Sequence, residues 1–583
     1  YRCNCCYLMN KKIKVSDYVS KFLEKNQIKF VFEMSGGMIT RLLDSISQQS
    51  KIKIISFRHE QSAAFAADAY GRLTGIPGIA LATSGPGATN LITGIGSSYF
   101  DSSPTIFITG QVNRTEIKGS KKVRQLGFQE TDIVSIITPI IKKAVLVTDP
   151  NDIPDILEKS FIIATDKRPG PVLIDIPMDV QNELIDVSNI KKIEFKKIPE
   201  SLATSVTMQL INSIKDAKKP IILVGGGIHS SNSLEKFREF VRLVKIPVVN
   251  SLMAVDALPY LDKFRVGLIG SYGNRWANLA LSESDLLIVL GSRLDIRQTS
   301  SRVKEFAKNK KIFHVDIDTN EINNRIKGCI KISMNLKSFF NSINDELSNI
   351  EFNEKSDWID KINQMKKHFP DTDENPKLSG INPNLFIHHL SHASKSASVF
   401  ISDVGQHQMW TAQSLEINNM QRFITSGGMG SMGFGLPAAI GAAFAKKHSP
   451  IVMIAGDGGF QSNIQELQTI VHHKLPIKII IINNNCHGMV RQFQEDYFDG
   501  RYQSTLWGYS APNFESVGKA YGLSSRTITK QTEVNEALQW MWKDPNEPIL
   551  LQVMIDTFTN AFPKISFDEP NHKMIPIKDD YEC

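Results

Sequence analysis

The chain has 583 residues, 42% hydrophobic and 22% charged, with a formal net charge of +7. That length exceeds a single hydrophobic core, so several domains are expected in an otherwise ordinary soluble composition. The small positive excess excludes a nucleic-acid stripe, with Lys121–Lys122, Lys196–Lys197 and Lys308 to Lys311 reading as solvated faces, and no apolar stretch is long enough to span a bilayer.

Cys3, Cys5 and Cys6 cluster in the opening YRCNCCYL, but the sequence holds no second half for a zinc site. Met9 is the expected start, no secretory signal follows, and a reducing cytoplasm is the expected compartment. Short β-branched runs then alternate with amphipathic stretches, the pattern of parallel α/β layers. A first block over residues 9–187 contains GIALAT (78–83) and TIFITG (105–110), and a charged stretch from Asn182 to Ser201 reads as a linker. A second block over 200–345 contains IILVGGG (221–227), DLLIVLGSR (285–293) and IFHVDID (312–318). The polar segment Ser348 to Pro383 reads as the next connection. A third block, 380–563, contains IVMIAGDGG (451–459) and IKIIIINNN (477–485), and a tail over 564–583 closes the chain. The expected fold is α/β, three doubly wound parallel-sheet domains.

The segment GDGGF (456–460), followed by IINNNCHG (481–488), carries the most chemistry. Two buried strands each end in an oxygen-rich turn, so Asp457 and Asn484 meet at one sheet edge, where ligands bind. A carboxylate, an amide oxygen and a backbone carbonyl are hard ligands suited to Mg²⁺, which shares its coordination with phosphate oxygens. Gly456, Gly458 and Gly459 let the backbone approach a diphosphate. Each piece alone is an ordinary turn; the pair at this spacing resembles the diphosphate and metal motif of thiamine-diphosphate enzymes.

The resemblance extends from Met9 to about Pro563 and points to the acetohydroxyacid (acetolactate) synthase group. It is carried by FRHEQSAAFAADAYGRLTG (57–75), ATSGPGATNLITG (82–94), FQETDIV (128–134), RPGPVLIDIP (168–177), SDVGQHQMW (402–410), SGGMGSMGFGLPAAIGAAFA (426–445) and MVRQFQ (489–494). It implies pyrimidine, central flavin-type and diphosphate domains, and decarboxylation of pyruvate with transfer of the two-carbon unit to a second 2-keto acid. Glu60 matches the catalytic glutamate that relays a proton to the cofactor's pyrimidine ring. Met432 matches the residue that bends the cofactor, with Gly430 in the same loop. Gln406 and His407 match diphosphate contacts, Gly488 and Met489 lie in the corresponding cofactor loop, and the resemblance implies that the backbone carbonyl offered to Mg²⁺ is that of Cys486. Phe128, Gln129 and Lys142 match positions around the reacting carbonyl, Lys142 as an anchor for a carboxylate.

The same resemblance implies FAD, held mainly for structure by Gly226, Leu252, Met253, Arg293, Arg297 and Asp316, with Ser102 and Arg168 from the first block. VGGGIHSS (224–231) alone is a weak nucleotide fingerprint. The family assembles its site between subunits, so a homodimer or homotetramer is expected, with a regulatory small subunit as a further partner. Departures from the family pattern are Phe493 for a pocket Trp, Met178 for a Lys, Ile296 for an Asp, a longer loop between Gln111 and Phe128, and GLIGSYGNRWANLAL (267–281) for the usual loop. They leave a nucleotide-linked keto sugar as the alternative acceptor. Pyruvate oxidase-like flavin chemistry and a non-enzymatic scaffold are the competing classes, the latter opposed by the presence of Glu60, Asp457 and Asn484.

Overall fold

The β-branched runs build three six-stranded parallel sheets. The central strands are covered on both faces, which explains their largely apolar composition: every residue of IKIIIIN (Ile477–Asn483), Lys478 included, is buried. The computed structural model describes residues 12–188, 201–375 and 378–578. Cys3, Cys5, Cys6, Met9 and most of the expected first linker lie outside the described residues. The chain forms two compact units, the first Tyr1–Lys197 with Ser426–His448 and Asn463–His473, the second the remainder.

In the first unit the strands are β1 (Phe30–Glu33), β2 (Lys53–Ser56), β3 (Gly78–Ala82), β4 (Thr105–Gln111), β5 (Lys143–Leu146) and β6 (Pro171–Pro177). Their order is β2-β1-β3-β4-β6-β5. Part of the expected linker is a strand, since Leu184–Asp186 pairs antiparallel with Lys12–Lys14. The helix Glu60–Thr74 packs on the helix Gly435–Ala445 through small residues. A Cβ at Gly441 would stand 2.1 Å from the Ala66 carbonyl oxygen, so only glycine permits this approach.

The second unit holds two sheets. The central one comprises β7 (Pro220–Val224), β8 (Val248–Asn250), β9 (Arg265–Leu268), β10 (Leu286–Leu290), β11 (Lys311–Asp316) and β12 (Ile330–Ser333), in the order β9-β8-β7-β10-β11-β12. This is the doubly wound order of dinucleotide-binding sheets. The last sheet comprises β13 (Val399–Ser402), β14 (Arg422–Thr425), β15 (Ile451–Gly456), β16 (Ile477–Asn483), β17 (Ser524–Ile528) and β18 (Ile549–Met554). Its order, β14-β13-β15-β16-β18-β17, repeats that of the first unit's sheet.

The segment expected as a plain connection carries the helix Ser356–His368, whose Trp358, Ile359, Ile362 and Met365 are buried at helical spacing. The described part of the tail, 564–578, is structured against the rest of its unit. Lys564–Ile565 pairs with Met574–Ile575, Lys564 pairs with Asp496, and Asn571 Nδ2 donates to the Gln298 carbonyl at 2.8 Å. Among the described residues no helix is long and apolar enough to cross a membrane.

Candidate active site

In the last sheet, β13 and β15 are neighbours whose following loops diverge, the place where open α/β sheets bind ligands. Parallel pairing sets Gly456 opposite Ile482. Asp457 and Asn484 therefore leave their strands at one carboxyl edge. Asp457 is buried and accepts from the Tyr509 hydroxyl at 3.0 Å and from the backbone amides of Gly458 and Cys486. Burial outweighs those bonds and pushes its carboxyl up to about 6. Asn484 Oδ1 takes the Cys486 amide at 3.3 Å, while its Nδ2 donates to Gln406 Oε1 at 3.2 Å. Gln406 in turn donates to Gln492 at 3.0 Å, and Gln492 is locked to both the carbonyl and the amide of Ala561.

The residues fit a hard cation. A buried carboxylate beside an amide oxygen, answered by neutral donors, is stabilised by a divalent ion, and Mg²⁺ tolerates so sparse a protein ligand set because water and phosphate complete it. No group of three or more His, Cys, Asp or Glu side chains among the described residues offers a rival metal site. The Cys486 thiol is not a ligand in waiting: burial pushes it up to about 11, and it points to the Thr557 carbonyl at 3.5 Å.

His407 lies over Gly405 and Gly456, where a Cβ would come within 2.8 and 2.9 Å of its ring. Burial drives its pKa down to about 3 against a bond to the Asp403 backbone, so the imidazole is neutral, and its Nε2 is buried without a partner. A Cβ at Gly459 would stand 3.1 Å from Asp403 Oδ1, and one at Gly488 would stand 2.0 Å from Gln406 Oε1. Glycine is thus dictated here by close approach, as a backbone cradle for phosphates requires. Gly458 lies in the first turn of the helix Asp457–Gln461, and Met489, in the helix Gly488–Tyr497, packs on the core of this sheet.

The first unit places Glu60 at the start of the helix Glu60–Thr74, with His59 capping it by accepting from the Gln61 amide at 3.1 Å. Glu60 Oε2 accepts from Asn90 Nδ2 at 2.9 Å, and Oε1 lies 3.3 Å from where a Cβ on Gly87 would stand. Gln129 has a left-handed backbone (φ 64) and packs on Gly85, while the neighbouring Phe128 is 80% exposed. Gln111 ties this loop to the sheet: its Nε2 donates to the Thr131 carbonyl at 2.8 Å and to Asp175 at 2.9 Å. Asp175 also accepts from Thr109 at 2.7 Å, and its burial pushes it up to about 7.

Lys142 is a correction to the sequence reading. Its ammonium donates to the carbonyls of Ile163, Asp166 and Arg168, the last two at 3.0 and 2.8 Å. All three hydrogens are used around the end of the helix Ile153–Thr165, so none remains for a substrate carboxylate. The expected flavin residues of this unit, Ser102 and Arg168, do meet, the guanidinium Nε donating to the hydroxyl at 2.8 Å.

In the central sheet the turn Gly225–Gly227 after β7 lies against Gly291 after β10: the Gly227 amide donates to the Gly291 carbonyl at 3.0 Å. Gly226 packs on Met253, in the turn Leu252–Ala254. Arg293 pairs with Asp295 at 3.0 Å, and Asp295 caps the short helix bearing Ile296 and the exposed Arg297. Arg293, Asp295, Ile296, Ser301, Asn324 and Arg325 line a cavity of about 670 Å³. Gly226, Leu252, Met253, Arg297 and Asp316 are not among its lining residues; Asp316 caps its own turn through the Asp318 amide at 2.9 Å.

Three family descriptions match the chain in order: "Thiamine pyrophosphate enzyme, N-terminal TPP binding domain" over residues 13–136, the central domain over 207–343, and the C-terminal TPP binding domain over 403–553. The acetolactate synthase large subunit of Cyanidium caldarium is 38% identical over 98% of each chain. That of Lactococcus lactis is 36% identical over 97% of this chain and 98% of its own. The chain belongs to the acetolactate synthase large-subunit family. Acetolactate synthase 2 of Nicotiana tabacum, a chloroplastic protein, is also 36% identical, over 95% of this chain and 83% of its own.

Within this acetolactate synthase family, the departures acquire surroundings. Phe493 lies on the helix Gly488–Tyr497 with its ring 5.0 Å from Tyr497, and 6.0 Å from the tail's Phe567 at a right angle. Phe493 is thus bordered by the aromatic rings of Tyr497 and Phe567. Met178 opens the helix Met178–Asn182, in which Asp179 pairs with Arg114 at 2.7 Å. Tyr509, Asn90 and Asp403 were missed by sequence reasoning. Gln492 was missed as well; Asn90, Asp403 and Gln492 lie within the stretches 82–94, 402–410 and 489–494 that carry the resemblance and were within reach, whereas Tyr509 lies in none of them.

Proposed function

We propose that this chain decarboxylates pyruvate and joins the two-carbon unit to a second 2-keto acid, giving acetolactate-type products. The buried Asp457–Asn484 pair, answered only by neutral donors, carries the reading: it suits a divalent cation that anchors a diphosphate. When bound, thiamine diphosphate supplies the ring that stabilises the electrons released on decarboxylation.

The chain's residues bind and orient around it. Asp457, Asn484 and the Cys486 carbonyl hold Mg²⁺, while the Gly456–Gly459 turn, Gln406, His407 and Gly488 receive the phosphates. Glu60, with Oε2 fixed by Asn90, would present Oε1 to the pyrimidine ring as its proton-relay group when the cofactor is bound. Met432, Gly430 and Met489 shape the cofactor; Phe128 and Gln129 border the substrate. We assign FAD a structural place near the central sheet, whose strand order and polar cavity suit a nucleotide. A homodimer is the smallest active form we propose, with a regulatory small subunit as a further partner, as the relatives' large-subunit naming suggests.

The test is to supply thiamine diphosphate, Mg²⁺, FAD and pyruvate, and to weigh acetolactate formed against pyruvate consumed. About one acetolactate per two pyruvates supports the reading. Slow decarboxylation with little acetolactate overturns the keto-acid acceptor and favours a nucleotide-linked keto sugar, the reading suggested by Phe493 and Met178. Flavin reduction by pyruvate would instead point to oxidase chemistry.

A further inference from the structure

The glycine-rich loop 426–433 carries Gly430 and Met432, and within the first unit it is fastened at both ends. Asp101, just beyond the helix Ile92–Phe100, receives two consecutive loop amides. Its Oδ1 accepts from Gly428 at 2.6 Å and its Oδ2 from Gly427 at 3.3 Å. The same Oδ2 pairs with Arg72 at 2.9 Å, and Arg72 pairs with Asp68 at 2.6 Å. These side chains are 2%, 11% and 0% exposed, so water scarcely competes for any of them. The Arg72 guanidinium also lies 5.5 Å from the Phe434 ring, just past the loop. At the far end Asn463 Nδ2 donates to the Gly433 carbonyl at 2.7 Å and is itself oriented by Ser62 at 3.0 Å.

The fit around Asp101 is tight. A Cβ on Gly428 would stand 2.8 Å from Phe100 Cβ and 2.9 Å from Asp101 Oδ1, so the loop backbone lies directly on this anchor. Inside the loop the Ser431 amide donates to Ser426 Oγ at 3.2 Å, and Gly430 has a left-handed backbone (φ 70). Gly428 is thereby held by a charge-assisted bond, Ser431 by its bond to Ser426, and Met429 by packing of its sulfur, which would stand 2.8 Å from a Cβ on Gly96, while Met432 itself is 41% exposed.

We propose that Asp101 is a positioning residue for the reaction: through the Gly427 and Gly428 amides, and backed by Arg72 and Asp68, it fixes the register in which the loop presents Met432. The inference rests on the reading of Met432 as the residue that bends the cofactor. A misplacement of ~1 Å in such a group costs ~100-fold in rate.

The test uses the full chain, with and without thiamine diphosphate and Mg²⁺, as wild type, Asp101→Asn and Gly428→Ala. The second variant displaces the loop while leaving the Asp68–Arg72–Asp101 ions intact, so it carries the test if Asp101→Asn does not fold. Hydrogen exchange read by mass spectrometry should rise about tenfold in peptides covering 426–433 and stay unchanged in β3 and β4. In the loaded enzyme, kcat and deuterium exchange at the cofactor's C2 should fall together by ~10–100-fold, with KM for pyruvate within about twofold. An unchanged loop in the folded variants overturns the anchor. A loosened loop with wild-type kcat and C2 exchange overturns the proposal from the other side, by removing the Met432 reading.

Discussion

The sheet of the first unit and the last sheet of the second share one strand order, yet their carboxyl edges carry different chemistry. In the last sheet the edge buries Asp457 beside Asn484, with Tyr509 and backbone amides as neutral company. In the first, Asp175 is buried among Thr109 and Gln111, while the more accessible Glu60 keeps one carboxyl oxygen on Asn90. Both sheets raise a buried carboxyl, to about 6 for Asp457 and about 7 for Asp175. Asp457 has an oxygen-rich neighbour with which to share a cation, whereas Asp175 has only donors. The topology fixes where a ligand meets the sheet, and a few loop residues decide which side-chain chemistry that edge presents.

The strongest way to break this contrast is Asp457→Ala. Removing the charged ligand should weaken Mg²⁺ and thiamine diphosphate binding ~100-fold or more, and turnover should stay low at saturating cofactor. Calorimetry with near-wild-type affinity would show that this edge is not the metal site. Glu60→Gln should act in the opposite sense, leaving cofactor affinity within a few fold while kcat falls ~100- to 10,000-fold. Unchanged turnover would sink the proton relay.

A smaller effect concerns Asp175. Its folded pKa of about 7 lies above the ordinary value of 3.8, so the folded state holds the extra proton across that interval. Its contribution is therefore greatest in acid and declines as the pH rises from 4 to 7. Wild type should lose on the order of a few kcal/mol relative to Asp175→Asn over that range. Denaturation midpoints that run parallel with pH would contradict the burial account. The smallest change is expected from Lys142→Met. Stability should drop by ~1–3 kcal/mol as three carbonyls lose their donor, with KM for pyruvate within about twofold. A tenfold rise in KM at unchanged stability would restore the substrate-anchor reading.

The contrast also marks what was legible beforehand. GDGGF and NNN announced themselves because each follows a run of apolar residues (IVMIA and IIII), and neighbouring parallel strands bring such endings together. Tyr509 reaches Asp457 from an irregular loop 52 residues downstream, with no periodicity to betray it. Lys142 was misread because resemblance supplies a position but not the partners of its ammonium. The helix Ser356–His368 was taken for a connection because its polar face dominates the sequence, although its four buried positions keep helical spacing. The reading of Phe493 as a departure omitted Phe567, a tail residue whose approach depends on the fold of a distant segment.

The packing of Gly435–Ala445 on Glu60–Thr74 carries a consequence for how the protein is made. The first unit is not a continuous stretch of chain, because one of its central helices is translated only after the whole of the central sheet. Until the ribosome has passed residue 445, the Ala-rich helix Glu60–Thr74 lacks the neighbour that covers it. Closing so long a loop adds little to the equilibrium cost, which grows only with the logarithm of its length. The delay is kinetic. The nascent amino-terminal sheet must wait with apolar surface uncovered, the condition in which holding chaperones are most useful and a fragment ending near residue 188 is most prone to aggregate.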